Sequence, residues 1–275
     1  MTKSLALALG GGGARGLAHI AVLEVLDDMG ITPKVISGTS IGALIGGCYA
    51  AGMSGRDIRR HAVALAHDRG EVFRRLMLAR AGSFANLFTS GFGGATQVDG
   101  EKFCDQFLPA AVPQSFGELK IPLVVVASDL HRRQQVAFTS GPLRRALAAS
   151  IALPSVVRPV VIDDRVLVDG GATNPLPFDE LRGRADVVVA VDISGEPNET
   201  RRDTPSYWEC LFATVIVMAH AITTEKLKHG APDLMIRPNV GLFRTLDFFQ
   251  ASAILRATEP AKAEIKQRLT ALLSD

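Results

Sequence analysis

Short runs of Val, Leu and Ile alternate along the 275-residue chain with stretches typical of helices. The apolar runs predict strands at residues 4–9, 34–37, 121–128, 134–138, 159–162, 165–168 and 187–193. The other stretches predict helices at residues 16–29, 41–51, 55–68, 99–107, 142–149, 208–228 and 259–273. Continuous Val-rich strands separated by helices favour an α/β fold with a mostly parallel central sheet and helices on both faces. A tight antiparallel hairpin is expected at residues 159–168.

A serine between two glycines lies at one of the predicted strand-to-helix junctions. Residues 38–42 read Gly-Thr-Ser-Ile-Gly and precede a helix of small side chains. This spacing is typical of a nucleophile elbow, in which glycines permit a tight backbone turn and the serine hydroxyl projects into a cleft. Ser40 is therefore the candidate nucleophile.

Four consecutive glycines, residues 10–13, follow the first predicted strand and precede a helix. Glycines allow unusual backbone conformations and bring N–H groups close to whatever lies above them. At a helix N-terminus such groups bind a phosphate or the oxyanion that forms when a serine attacks an ester. The segment also matches the G-x-G-x-x-G of dinucleotide sites, but the second strand lacks the acidic residue that binds the ribose. A nucleotide-binding module is therefore the weaker alternative.

Asp169 ends the apolar run at 165–168 and precedes two glycines. In this position an aspartate can aim its carboxylate into a cleft or merely cap the following turn. A triad on this type of elbow needs a histidine after the acid, but His220 and His229 are not placed on a strand-end loop. Aspartate has an ordinary pKa near 3.9 and is a weak base unless burial raises that pKa. Esters and thioesters are thus more plausible substrates than amides.

The three glycine-containing segments together resemble those of the patatin-like phospholipases, over about residues 4–195. The block Ala-Ser-Ile-Ala-Leu-Pro at 149–154 also resembles a segment of that family. The residues of the three motifs are Gly11, Gly12, Gly13, Ala14, Arg15, Gly16, Gly38, Thr39, Ser40, Ile41, Gly42, Asp169, Gly170 and Gly171.

The resemblance implies a three-layer patatin-like fold and a catalytic dyad with Ser40 as nucleophile and Asp169 as proton acceptor. It also implies an oxyanion hole formed by the Gly-rich loop, to which we assign Gly11, Gly12 and Gly13, and hydrolysis of acyl esters of phospholipids or lysophospholipids. No metal or organic cofactor is expected. Arg15 either holds a lipid phosphate or braces the carbonyls of its loop, or it has the structural role of pairing with a distant carboxylate that fixes the loop; the structural role is favoured. A non-catalytic lipid-binding or regulatory protein with the same fold is the main rival.

The composition of the chain bears on its binding partners and on the cellular compartment in which it is expected. The formal net charge of +2 gives no electrostatic reason to expect nucleic acid as a partner. Cys48, Cys104 and Cys210 have no paired spacing, which fits a reducing compartment. With no leader pattern at its start, the chain is expected in the cytoplasm, with peripheral contact at the inner face of a membrane left open. We expect one catalytic domain over 1–275, with a C-terminal helical part at 207–275; the oligomeric state is not predicted.

Two apolar segments are candidates for contact with lipid or a partner. Residues 72–96 combine Phe and Leu with Arg and Gly, which suits an interfacial surface or mobile flap. The alternative is a helix packed on the core followed by an ordered loop. The segment Trp208–Ile222 is shorter than the roughly 20 residues of a membrane span and contains Glu209 and His220. A buried or partner-facing helix is expected there.

Overall fold

Eight strands form one mixed sheet in the computed structural model, which describes residues 3–80, 97–195 and 204–274. The strands are β1 (Leu5–Leu9), β2 (Val35–Thr39), β3 (Leu123–Asp129), β4 (Gln134–Phe138), β5 (Val160–Ile162), β6 (Arg165–Asp169), β7 (Val187–Val191) and β8 (Leu234–Ile236). Five strands run parallel in the order β3-β2-β1-β7-β8, whereas β4 and β6 pair antiparallel with β3, and β5 pairs antiparallel with β6. The sheet is thus mostly parallel, with an antiparallel portion at one side.

Nine α-helices occur within the described ranges. They are α1 (His19–Asp28), α2 (Ile41–Ala50), α3 (Gly55–His67), α4 (Arg69–Leu78), α5 (Gly100–Phe107), α6 (Leu143–Ser150), α7 (Tyr207–Lys228), α8 (Ala251–Thr258) and α9 (Ala261–Ser274). A 3₁₀ turn at Gly13–Ala18 leads into α1, and Phe178–Leu181 forms another 3₁₀ turn.

The two faces of the sheet bury side chains of different size, as β1 illustrates. Its alternate leucines belong to the larger core cluster, which also contains the buried side chains of α1, α2 and α6. The intervening Ala6 and Ala8 belong to a smaller cluster on the other face, together with Phe178 and Leu181. Both faces of a parallel strand are therefore covered, which explains why the strands read as continuous apolar runs.

The registers in which β2 and β6 pair with β3 bring the ends of these two strands together. β4 pairs with β3 throughout residues 125–129, so that β2 and β6 share the opposite edge of β3. The last residue of β2, Thr39, pairs with Val126, and the last residue of β6, Asp169, pairs with Ala127. Because β2 and β6 run in opposite directions, their carboxyl ends meet at adjacent positions of one strand. The residues that follow β2 and β6 are thereby placed side by side.

The predicted α/β class and all seven predicted strands are confirmed. The eighth strand, β8, was not predicted; it has three residues, too few to show a pattern. The predicted helix at 16–29 begins as a 3₁₀ turn and becomes α-helical at His19. The predicted helix at 259–273 lies at Ala261–Ser274, and a separate helix, Ala251–Thr258, precedes it.

The two segments predicted to meet lipid or a partner have different outcomes. Residues 69–78 form α4, which contacts α3 and α5 although none of its residues is fully buried, so the interfacial surface and the helix packed on the core both stay predictions for this part. Residues 81–96 lie outside the described residues. The helix predicted at 208–228 exists as α7. Only 11% of its most apolar 18-residue window is buried, so the buried alternative is wrong and the partner-facing one stays a prediction. Of the helices described, α7 is the one long and apolar enough to cross a membrane, by length and composition alone.

Candidate active site

Ser40 occupies a strained turn between β2 and α2. Its φ of 56° and ψ of −124° lie in a region that side-chain-bearing residues rarely adopt, and such strain concentrates at functional sites. The flanking glycines make the turn possible. A Cβ on Gly38 would approach the backbone of Ala43 to 2.6 Å, and a Cβ on Gly42 would overlap the carbonyl oxygen of Leu9. Residues 38–42 therefore have the backbone of a nucleophile elbow.

The Ser40 hydroxyl donates a hydrogen bond to the carboxylate of Asp169, with 2.8 Å between Oγ and Oδ2. The second oxygen, Oδ1, accepts a hydrogen bond from the backbone N–H of Gly171 at 2.8 Å. Asp169 is buried, and this burial raises its pKa to about 6, against the smaller opposing effect of the two hydrogen bonds. The carboxylate is therefore a considerably better proton acceptor than an exposed aspartate, and it is still ionised at neutral pH.

Two buried serines form hydrogen bonds with the backbones of Ser40 and Asp169. The Ser150 hydroxyl accepts a hydrogen bond from the backbone N–H of Ser40 at 2.8 Å and donates one to the Val126 carbonyl at 2.6 Å. It thus ties the elbow to the strand along which β2 and β6 meet. The Ser128 hydroxyl donates to the backbone carbonyl of Asp169 at 2.9 Å. The positions of Ser40 and Asp169 are set by hydrogen bonds to their backbones as well as by the hydrogen bond between their side chains.

The Gly-rich loop lies beside Ser40, but its three predicted donors are not equivalent. The N–H of Gly11 donates to the Pro175 carbonyl at 2.8 Å, so it is already occupied. Within the described part of the chain, no hydrogen bond from the N–H of Gly12 or Gly13 is found. All three glycines line the cleft together with Ser40. The geometry therefore narrows the candidate oxyanion donors to Gly12 and Gly13.

The peptide group between Gly10 and Gly11, which precedes these two donors, is hydrogen-bonded through both its N–H and its carbonyl. Its N–H, from Gly11, is held by Pro175, and its carbonyl, from Gly10, accepts a hydrogen bond from Nε2 of His19 at 2.8 Å. His19 is completely buried, and this burial lowers its pKa to about 4, so that the ring is neutral and Nε2 carries the proton that it donates. His19 thus contacts the backbone of the Gly-rich loop.

Arg15 has a structural position in this loop. Its Nε donates to the Phe243 carbonyl at 2.7 Å and its Nη1 to the Ser194 carbonyl at 2.5 Å. These bonds fit the structural role, with backbone carbonyls of distant segments as partners in place of the predicted carboxylate. Two further motif glycines leave room for neighbours: Gly16 lies against the side chain of Ile41, and Gly170 against the carbonyl of Val126.

The cleft above Ser40 continues into an apolar pocket of about 180 Å³. One wall is formed by α7, which contributes Phe212, Val215, Ile216 and Ala219, at the spacing of one helix face. The opposite side is formed by apolar side chains of α2, of α5 and of the segment after α6, namely Ile41, Leu44, Phe103, Ile151, Leu153, Val156 and Val157. Such a pocket suits an unbranched acyl chain rather than a charged or strongly polar group.

The histidines do not complete a triad. Within residues 3–80, 97–195 and 204–274, no histidine forms a hydrogen bond with Ser40 or Asp169. His220 lies on the exposed side of α7, and His229 follows that helix with its side chain mostly exposed and near Glu225. In the same ranges, no group of three His, Cys, Asp or Glu side chains is arranged to hold a metal ion.

The family to which the chain belongs follows from comparison with known proteins. The model of the family "Patatin-like phospholipase" matches residues 7–182, which is more than half of the chain. The chain therefore belongs to the patatin-like phospholipase family. An uncharacterized NTE family protein of Mycobacterium tuberculosis is 36% identical over 200 residues, covering 72% of this chain and 51% of that protein.

Two more distant similarities extend over nearly the whole chain. Lysophospholipase NTE1 of Coccidioides immitis is 27% identical, covering 97% of this chain and 18% of that protein. The chain thus spans about half the length of its mycobacterial relative and about a fifth of the fungal one. Among solved structures, VipD from Legionella pneumophila superimposes with a TM-score of 0.52 at 14% identity, covering 97% of this chain and 67% of that one. This likeness concerns the fold alone.

Sequence reasoning identified the residues of the cleft that belong to motifs and missed those that do not. Ser150 was noticed as part of a motif, but its contact with the Ser40 N–H was not foreseen. The wall formed by α7 was missed because an apolar run does not reveal which of its faces is covered. The structure also places His19 against the Gly10 carbonyl, a contact for which the sequence gives no signal.

Proposed function

We propose that this protein is a serine hydrolase that cleaves acyl esters of phospholipids or lysophospholipids through a dyad of Ser40 and Asp169. The observation that carries the proposal is the 2.8 Å hydrogen bond from the Ser40 hydroxyl to the Asp169 carboxylate, at the base of an apolar cleft. Membership of the patatin-like phospholipase family and the name lysophospholipase given to the fungal relative support lipid esters as substrates.

The reaction starts with attack of Ser40 Oγ on the ester carbonyl carbon, while its proton passes to Oδ2 of Asp169. The carbonyl oxygen becomes an oxyanion, for which the N–H groups of Gly12 and Gly13 are the candidate donors. When the tetrahedral intermediate collapses, the C–O bond to the alcohol breaks, and Asp169 returns the proton to that leaving oxygen. Water then attacks the acyl-enzyme, with Asp169 again accepting and returning a proton, and releases the fatty acid.

The properties of Asp169 and of the candidate oxyanion hole favour esters over amides as substrates. The pKa of Asp169, about 6, is below the pKa of roughly 7 that suits a general base at neutral pH. Removal of the Ser40 proton by Asp169 therefore lowers the activation barrier only modestly. A donor in an oxyanion hole is worth about 3 kcal/mol in other enzymes. An amide, whose leaving nitrogen must be protonated, places a greater demand on the same acid. We therefore expect activity on esters and thioesters.

A non-catalytic lipid-binding protein is the remaining rival, and the strained conformation of Ser40 argues against it. Strain of this kind destabilises a fold by about 1–3 kcal/mol. A pocket that only bound lipid would not require it. The contact between Ser40 and a carboxylate of raised pKa is likewise superfluous for binding.

The test compares wild type and Ser40→Ala on a panel of p-nitrophenyl esters and lysophospholipids. We expect the variant to lose at least about a thousandfold in kcat while its circular dichroism and Tm stay close to those of wild type. A fluorophosphonate probe should label wild type and leave Ser40→Ala unlabelled.

The matched control is Ser140→Ala, which removes an exposed hydroxyl before α6 and should keep wild-type rates and labelling. If Ser40→Ala, correctly folded, keeps more than a few per cent of the activity, Ser40 is not the nucleophile. If wild type binds lysophospholipid but neither hydrolyses any ester nor reacts with the probe, the lipid-binding rival is correct.

A further inference from the structure

The helix α7 exposes an uncharged, apolar face to solvent. From residue 210 to residue 224 it contains no Asp, Glu, Lys or Arg. Val217 and Met218 are 67% and 52% exposed, and the aromatic pair at its first turn, Tyr207 and Trp208, is 75% and 54% exposed. A surface helix normally turns charged residues to solvent. Exposed apolar patches of this kind mark sites of interaction with proteins or membranes.

This face adjoins the mouth of the apolar pocket. The opposite face of α7, through Phe212 and Ile216, forms a wall of that pocket. In the loop at 242–249, Leu246 and Phe248 also line the pocket, yet each is nearly half exposed, so they form its rim. The loop is tied to α7 by an ion pair between Arg244 and Glu209, with 2.8 Å between the charged atoms.

We propose that the outer face of α7, together with the exposed aromatic pair at its first turn and the exposed apolar side chains of the loop at 242–249, docks this protein on the surface of a lipid bilayer. We call these residues the docking surface: Tyr207, Trp208, Val217, Met218, Leu242, Leu246, Phe248 and Phe249. The inference rests on the proposed function, because the pocket mouth beside this surface is where a lipid acyl chain would enter.

The helix lies along the bilayer surface and does not cross the bilayer. Although α7 is long enough for a span, its inner face forms the wall of the pocket, and Lys226 near its end forms an ion pair with Asp179 at 2.5 Å. Moving the helix into the membrane would break this ion pair and open the cleft above Ser40. Helices that lie in the interface have one apolar face in lipid and the other on protein or water. Trp and Tyr at one end are typical of such positions.

A second copy of the chain fits this surface less well than a bilayer does. A second copy packed on this surface would cover Leu246 and Phe248 at the rim of the pocket and so obstruct the entrance above Ser40. A bilayer instead presents acyl chains at that entrance, and each exposed apolar side chain enters the lipid independently.

Trp208 gives a direct readout, because it is the one tryptophan of the sequence. We expect its fluorescence in Ser40→Ala protein, which leaves lipid intact, to shift to the blue on addition of phosphatidylcholine vesicles. Brominated acyl chains should quench it. Because the docking surface carries no unpaired charge in its helical part, the vesicle affinity should change less than about twofold between 0.05 and 0.5 M NaCl.

The double variant Val217→Glu, Met218→Glu should lower vesicle affinity by at least about tenfold. Neither side chain lines the pocket, so in the Ser40-containing protein hydrolysis of a short soluble ester should be unchanged. The matched control is Val161→Glu on the edge strand β5, which is 55% exposed and outside the docking surface; it should bind vesicles like wild type.

The outcomes separate this inference from the proposed function. Hydrolysis of soluble ester without vesicle binding overturns the docking surface and leaves the hydrolase proposal intact. Vesicle binding lost in the double variant, with no ester hydrolysed by wild type, supports the docking surface while the hydrolase proposal fails. A dimer in sedimentation that the two glutamates dissociate, without vesicle binding, shows that the occupant is a second copy and overturns the inference.

Discussion

The side of the cleft that carries Ser40 and the side formed by α7 differ in how their atoms are held. Around Ser40, its N–H, its hydroxyl and both oxygens of Asp169 take part in hydrogen bonds of 2.8 Å. The wall contributed by α7 is made of apolar side chains such as Phe212, Val215 and Ile216, and the other face of that helix is exposed.

Under the proposed function, this difference places bond cleavage on the Ser40 side of the cleft and selection of the substrate on the α7 side. Bond cleavage needs atoms placed to within fractions of an ångström, which hydrogen bonds to the backbone can provide. Packing of an acyl chain needs only an apolar surface of suitable shape, and it changes gradually with side-chain size. Substitutions on the Ser40 side should therefore affect all substrates equally, whereas substitutions in the wall should discriminate between acyl chains.

The largest effect is expected for Asp169→Asn. The amide keeps the shape of the carboxylate and can accept the hydrogen bond from Gly171, but it cannot take the Ser40 proton. We expect kcat to fall by about a thousandfold or more for every ester in the panel, as for the acid of other serine hydrolases. Steady-state kinetics with short and long esters measure this.

His220→Ala and His229→Ala serve as the comparison for that variant and should keep kcat within about twofold of wild type, since neither histidine reaches the dyad. A loss of a thousandfold in either, with the fold intact, would replace the dyad by a triad.

The next largest effect is expected for Gly13→Ala in the Gly-rich loop. Gly13 has a φ of 62°, and a Cβ there would overlap the carbonyl oxygen of Thr245, so the loop must shift and move its N–H donors. Loss of one oxyanion donor costs about a hundredfold to a thousandfold in kcat. We expect a loss of that size on short and long esters alike, with little change in KM.

Gly30→Ala is the matched control, because Gly30 has a similar φ of 68° but open space where the Cβ would lie. It carries the same backbone strain without the clash and should keep full activity. Equal losses in the two variants would show that general destabilisation, and not the position of the loop, causes the defect.

The pH dependence should report the ionisation of Asp169. Because the base must be ionised and burial raises its pKa to about 6, kcat/KM for a soluble ester should fall about tenfold for each pH unit below 6 and level off above it. Rates between pH 4.5 and 8 measure this. An acid limb centred near 4 would mean that Asp169 titrates as an exposed carboxyl.

The same pKa shift has a consequence for stability. The folded carboxyl binds its proton more tightly than the unfolded one, whose ordinary pKa is 3.8, so ionisation of Asp169 reduces stability as pH rises from about 4 to 6. Asp169→Asn should therefore raise Tm by several degrees at pH 8 and by little at pH 4. A lower Tm at pH 8 would contradict this.

The smallest effect, and the one that discriminates between substrates, is expected in the wall. Ile216→Trp adds volume to the pocket face of α7 without touching Ser40, Asp169 or the Gly-rich loop. We expect kcat/KM to fall about tenfold for long acyl esters and to change little for acetyl or butyryl esters, as one pocket contact is worth about 1–3 kcal/mol. A uniform loss across chain lengths would show that α7 also positions the dyad.

The strands, the elbow and the Gly-rich loop were predictable from the sequence because their signals are local. Continuous apolar runs identify strands that are covered on both faces, and Gly38 and Gly42 flank a serine whose backbone turn they alone permit. Asp169 was recognised from its position at a strand end, although the sequence left open whether it caps a turn or reaches the serine.

Tertiary structure decided the relations between segments that are distant along the chain. Ser40 and Asp169 are 129 positions apart, and they meet because β2 and β6 end head to head on one edge of β3. In the sequence, Gly11 cannot be distinguished from Gly12 and Gly13 as a candidate donor. In the structure its N–H donates to the Pro175 carbonyl, a contact that the spacing of the motifs does not predict. For α7, the apolar composition of the segment predicted a helix with a large apolar surface. Which face of that helix is buried depends on the parts of the fold that pack against it. That choice made α7 a wall of the pocket with an exposed outer face, because a helix can bury only the side that the rest of the fold reaches.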